Sequence, residues 1–222
     1  MVFAVDRLGI AFVLDRGALC IVTSSFSRAA LLRRGAQGGS LVFLSGSALA
    51  AFAKSASADT LPDGDLAYLR LLIGAELLTV DFQTQALASG KLGAGAAGLV
   101  KQMLADEKAH YNGLANLMDE AGQTPATADD INFSYPSGSF ASVGAITKLA
   151  DGLETLVLGA YLGAVENVQT AQLRLPIGQI AANEAQHLSA LAPLSGRGPI
   201  GDAFASALQI DAVSAALDTY ES

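Results

Sequence analysis

Among its 222 residues the chain has one cysteine, no tryptophan, two histidines and only 15% charged side chains. Each shortage excludes something. A single cysteine can build neither an intrachain disulfide nor a cysteine-based zinc site. Low charge combined with 51% hydrophobic residues excludes an intrinsically disordered chain, which needs the opposite balance. With 13 basic against 21 acidic residues and no extended basic block, the electrostatic footprint of a nucleic-acid binder is missing. The surplus of apolar residues must therefore serve a large core, a membrane segment or an export signal.

Charge is divided unevenly along the chain. Residues 1–58 hold six basic groups against two acids, which leaves seven basic and nineteen acidic groups for residues 59–222. The front is at +4 and the remainder at -12. Basic residues followed by GGSLVFLSGSALAAFA, Lys54 and the small-residue run Ala56-Ser57-Ala58 read as the three regions of a signal peptide with an A-x-A cleavage site. The apolar run from Leu41 to Ala53 is short for a spanning helix and rich in Ser, Gly and Ala. SRAALLR, from Ser27 to Arg33, is similar to a twin-arginine export pattern with Ala29 in place of the second arginine, while an arginine pair stands later at Arg33 and Arg34. A twin-arginine signal, a general secretory signal and an uncleaved anchor stay open. The long lead-in before it, with the apolar stretch LGIAFVL, fits a translation start placed too far upstream, and Cys20 reads as incidental.

From Asp59 onward the periodicity is helical. Leu66, Leu69, Ile73, Glu76, Val80, Gln83 and Leu87 alternate steps of three and four, which predicts one face of a helix from Asp63 to Gly90. Met103, Glu107, His110, Leu114 and Leu117 form a second stripe that ends near Gly122. A third helix is expected over Ser142 to Leu173, with Ala150, Glu154, Val157, Tyr161, Ala164 and Val168 on one face. The fourth is expected to begin near Pro176 and to carry Ile177, Ile180, Glu184, His187 and Leu191. Short links, SGKLGAG and RLP, make each pair an antiparallel hairpin. The long middle link QTPATADDINFSYPSGSF suits a crossover between the ends of a four-helix bundle. The tail PIGDAFASALQIDAVSAALDTYES predicts one or two short helices packed on the end through Phe204, Leu208 and Ile210.

Each apolar stripe carries a glutamate at its middle. A carboxylate on a buried face is costly unless it is paired, hydrogen-bonded or bound to metal, and four converging carboxylates repel one another. Two divalent cations would balance four glutamates. Both histidines in the chain follow a glutamate by three positions, in Glu107-Lys-Ala-His110 and Glu184-Ala-Gln-His187, and that spacing puts both side chains on one helical face. Glu76 to Glu107 is 31 residues and Glu154 to Glu184 is 30, so each hairpin repeats the same offer of ligands. Glu166 and Glu120 fall off these faces and are expected at solvent or the bundle edge; Asp151 is expected to be solvated near the margin.

Glu, then E-x-x-H, then Glu, then E-x-x-H on successive helices resembles the ferritin-like superfamily of di-iron and di-manganese carboxylate proteins over approximately residues 60 to 195. AELLTVDF, INFSYPSGSF, LETLVLGAYLGAV and NEAQHLSAL are most similar to its bacterial desiccation-related, ferritin-like domain proteins. The resemblance implies an all-α bundle in which Glu76 and Glu154 are terminal ligands, Glu107 and Glu184 bridge, and His110 and His187 each bind one metal. It implies that Asp106 and Asn183, which precede the E-x-x-H glutamates, sit where a side chain hydrogen-bonds a ligating imidazole. Tyr161, seven residues after Glu154, is either a ligand-bonding or redox tyrosine or a satisfied core residue; Gln83 holds the matching place after Glu76.

The expected function is an exported protein that holds two iron or manganese ions and acts on oxygen or peroxide in desiccation or oxidative stress. Iron storage in a homo-oligomeric cage and a non-catalytic, metal-stabilised module are the alternatives. The export signal and the missing long fifth helix weigh against the cage. No nucleic acid is expected as a partner, and a membrane only through an uncleaved leader.

Overall fold

The computed structural model describes residues 61–222 and, separately, three short strands near the start of the chain. These strands, β1 (Phe3–Val5), β2 (Ala11–Asp15) and β3 (Ala18–Ile21), pair antiparallel in that order, with Val13 opposite both Phe3 and Cys20. The twin-arginine-like segment, the apolar run and the Ala56-Ser57-Ala58 cleavage site lie outside the described residues.

Residues 61–222 form five α-helices. The four long ones are α1 (Asp63–Ala88), α2 (Ala94–Glu120), α3 (Val143–Asn167) and α4 (Ala171–Leu191); a 3-10 turn (Ala192–Ser195) follows, and α5 (Ile210–Asp218) is short. Asp63 and Asp65 occupy the first turn of α1, where the unpaired N–H groups favour negative charge. Gly90 and Gly122, at φ 66° and 70°, take the left-handed conformation that ends α1 and α2. Ser142 caps α3 by accepting a hydrogen bond from Ala145 N (3.1 Å).

Helix α1 packs on α2 and on α3, and α3 packs on α4. The direction of α3 follows from its pairing with α1. Tyr161 meets Glu76 while Gln83 meets Glu154, so numbering runs oppositely in the two helices. Since α2 is also antiparallel to α1, α2 and α3 are parallel. The link over residues 121–142 must then travel the length of the bundle, about 40 Å for helices of this size. Tyr135 anchors it by donating to Asp81 Oδ2 (2.8 Å) and by packing its ring against Phe82 and Phe140. The chain's last residues strap it down, since Ser134 N donates to Tyr220 O (2.7 Å) and Ser222 N to Asn132 O (3.0 Å).

Two expectations are corrected here. The third helix ends at Asn167 rather than Leu173, and the fourth begins at Ala171, so Pro176 lies inside it. Proline lacks the N–H that would reach back to Gln172, but Gln172 is exposed and its carbonyl can turn to water. What breaks the chain at 168–170 is Asp65, whose carboxylate, 1% exposed, accepts from Gln169 N and Thr170 N at 2.8 Å each. No local pattern marks this cap because its acceptor comes from another helix. Asp65→Ala should cost about 2 kcal/mol of stability, the worth of a buried cap with charge-assisted hydrogen bonds; urea unfolding of the metal-free protein measures it.

The tail is the second correction. It lies across α1 and α3 rather than on the bundle's end, and Phe204 is 92% exposed instead of packed. Leu208 makes the contact, donating from its N–H to Gly159 O (2.9 Å), while Val213 and Leu217 are buried. Glycine is required beneath it. A Cβ on Gly159 would come within 2.6 Å of Leu208 Cγ, and one on Gly163 would overlap the Leu208 carbonyl oxygen. No helix among the described residues is long and apolar enough to cross a membrane.

Candidate metal centre

The four long helices bring Glu76, Glu107, His110, Glu154, Glu184 and His187 together in the middle of the bundle, and all six are buried. Apolar neighbours on each stripe, among them Leu72, Ile73, Met103, Val157, Ile177 and Ile180, enter the surrounding core and carry the carboxylates in with them. Glu120 and Glu166 are exposed, as their angular offset requires. Asp151 is half-buried, in an ion pair with Arg197.

Within the cluster the ligand atoms fall into two overlapping cages. One is made by Glu76, Glu107, His110 and Glu184, the other by Glu107, Glu154, Glu184 and His187, and within each cage the ligand atoms lie within 4.8 Å of one another. Glu107 and Glu184 belong to both. His110 Nδ1 faces Glu76 Oε2 (3.7 Å), Glu107 Oε2 (3.3 Å) and Glu184 Oε1 (2.9 Å). His187 Nδ1 faces Glu154 Oε2 (3.3 Å), Glu107 Oε1 (3.1 Å) and Glu184 Oε2 (3.2 Å). Each shared carboxylate thus turns one oxygen to each imidazole. The ring centroids are 6.1 Å apart.

Around the cages stand three further polar side chains. The Tyr161 hydroxyl, fully buried, donates to Glu76 Oε1. Gln83 Nε2 donates to Glu107 Oε1 (3.0 Å) and Glu154 Oε1 (3.2 Å). Asp106 Oδ2 lies 3.4 Å from His187 Nε2. Asn183, at the corresponding place before Glu184, is half-buried, and no side-chain hydrogen bond joins it to His110 among the described residues. In the sequence Gln83 stands out only as the counterpart of Tyr161. Its role was hidden because the antiparallel crossing of α1 and α3 exchanges partners, so that each residue serves the glutamate of the other helix.

Metal-free, this cluster is a set of tightly coupled ion pairs. Burial pushes the Glu76 and Glu154 carboxyls well above their ordinary range, and the Glu107 charge adds to it. Burial acts the same way on Glu107 and Glu184, but the two imidazoles that touch both hold them below it. For His110 the surrounding carboxylates outweigh burial and push the imidazole up to about 12, and His187 is raised likewise. The Tyr161 hydroxyl is also raised, by burial and then by the Glu76 charge.

Among the described residues, three buried side-chain atoms have no hydrogen-bond partner: Glu76 Oε2, Glu184 Oε1 and Gln83 Oε1. Orphaned acceptors of this kind are costly. Glu76 Oε2 and Glu184 Oε1 both face the first cage, and Glu184 Oε1 is close to His110 Nδ1 yet out of line for a hydrogen bond. Cations are what such lone pairs suit, and a donor set of oxygen with one imidazole per cage fits iron or manganese.

No curated protein matches the sequence. A family model described as the ferritin-like domain matches residues 64–197, from the first turn of α1 to just past the 3-10 turn. The matched stretch contains all four long helices and every member of both cages, and it spans more than half of the sequence. By its fold and by that match, the chain belongs to the ferritin-like domain family.

Proposed function

We propose that the bundle holds two iron or manganese ions, one in each cage, and uses them in redox chemistry on oxygen or peroxide. One observation carries this reading: Glu107 and Glu184 each present one oxygen to either imidazole, which is how a carboxylate must stand to join two cations. Glu76 with His110 and Glu154 with His187 complete the two ligand sets as terminal groups. When bound, two redox-active ions can deliver two electrons to an oxidant.

The chain's own residues prepare that chemistry. Tyr161 ties up Glu76 Oε1, which leaves Oε2 for the cation; Gln83 does the same for Glu154 Oε1. Each terminal carboxylate would thereby offer one free oxygen to a cation. Tyr161 is the redox-active candidate, since Glu76 is in place to take its hydroxyl proton. The apolar shell of α1 and α3 keeps bulk water away from the cluster.

Export and a role in stress protection belong to the same reading, supported by the basic, apolar leader and by the likeness to desiccation-related proteins. Metal analysis of the purified full-length protein, with oxygen and peroxide consumption measured on the loaded form, is the test. Two ions per chain with turnover is the expected result. Two ions without turnover would leave a metal-stabilised module, and one ion or none would sink the dinuclear centre.

A further inference from the structure

We propose that the two metal positions fill in a fixed order, the one beside Glu154 and His187 first, and that Asp106 sets the order. This rests on the dinuclear reading above. Seen from the cages alone the halves are equivalent, since each Nδ1 faces one terminal and two shared carboxylate oxygens. The inequality lies one layer out.

Asp106 is the difference. Its Oδ2 is 3.4 Å from His187 Nε2, and its side chain is only 30% exposed. A carboxylate there takes a hydrogen bond from Nε2–H and keeps the proton on that nitrogen, so the proton given up to an arriving cation is the one on Nδ1, which faces the cage. Such an arrangement fixes the ligating tautomer and makes the imidazole a better donor. It also adds negative charge to that half. His110 has no such partner among the described residues, and the corresponding position on α4 is the neutral Asn183. Nothing among the described residues holds the proton on its Nε2 when a cation arrives.

Tyr161 and Gln83 do not set the order. Tyr161 gives one hydrogen bond to Glu76 in one half, and in the other Gln83 gives one N–H to Glu154 and the other to Glu107 Oε1, the oxygen that faces His187. The difference at the imidazoles makes the position beside His110 the second to fill. Asp106 is therefore a positioning residue, acting through His187.

The test is a titration of the metal-free full chain with Mn(II), followed by electron paramagnetic resonance and calorimetry. The first equivalent should give the spectrum of an isolated ion, and the second should replace it with that of an exchange-coupled pair. Asp106→Asn should weaken the first dissociation constant about tenfold while the second changes little. Asn183→Asp should tighten the second. His187→Ala should remove the tighter step and His110→Ala the weaker one. A coupled spectrum from the first addition, or equal weakening of both steps in Asp106→Asn, would overturn the order while leaving the dinuclear centre intact. If the wild-type chain binds no Mn(II), the dinuclear reading itself fails and this inference with it.

Discussion

Glu107→Ala should strip the bundle of both ions, whereas Glu76→Ala should leave one. The contrast comes from sharing. Glu107 offers Oε2 to the His110 cage and Oε1 to the His187 cage, so its loss takes an oxygen from each position and the link between them. Glu76 stands in only one cage. Metal content per chain after loading and desalting measures the difference. Two ions retained in Glu107→Ala would show that the carboxylate does not bridge.

The same substitution has a cost without metal. Glu107 is completely buried against two imidazoles that its charge helps to keep protonated. Removing one partner from a buried ionic network leaves the others uncompensated, at about 3–5 kcal/mol. Glu107→Gln keeps the volume and most of the packing but replaces one ligand oxygen with a nitrogen that cannot bind a cation. It should lose the metals with a smaller loss of melting temperature, which separates ligation from folding.

Which side chains converge at mid-bundle was legible because the chain is frugal. With seven glutamates and two histidines in total, the stripes that carry Glu76, Glu107, Glu154 and Glu184 stand out from a background of Leu, Ile, Val and Ala. Helical period alone places them inside. What lies between helices was not legible in the same way. Asp65 caps the start of α4 from the first turn of α1, and a sequence window around Pro176 contains no trace of that contact. The helix boundary was therefore misplaced at the proline, which exposed Gln172 tolerates. Phe204 is expected as one of the tail's packing contacts because large apolar side chains usually pack, yet the tail needs only Leu208 to enter the groove over Gly159 and Gly163. The pairing of Tyr161 with Glu76 and of Gln83 with Glu154 depends on the relative direction of α1 and α3, a tertiary property.

Loading the metal-free protein near neutral pH should release about two protons or more for every two divalent ions, because binding requires deprotonated ligands. They come from the His110 and His187 imidazoles, whose affinity for protons the surrounding carboxylates raise against the effect of burial, and the raised Glu76 and Glu154 carboxyls add to them. Protons thus do in the empty cluster part of what cations do in the full one. The sign of the pH dependence follows. A group whose affinity for protons is higher folded than unfolded contributes stability that is complete below its unfolded value and lost as pH rises through its folded one. For the imidazoles that loss begins above 6.5 and, for His110, extends to about 12; for Glu76 and Glu154 it begins above 4.5. Glu107 and Glu184, held low, contribute stability that is present above 4.5 and lost only as pH falls, so they do not oppose the trend in the alkaline range. The melting temperature of the metal-free protein should therefore fall steadily from pH 6.5 to 9, while that of the loaded protein holds, and the gap between them widens with pH. Calorimetric titrations in buffers of different ionisation enthalpy count the protons directly. A release near zero would mean that the empty cluster already carries four bare carboxylates beside two neutral imidazoles, and the mutual screening deduced from its geometry would be wrong.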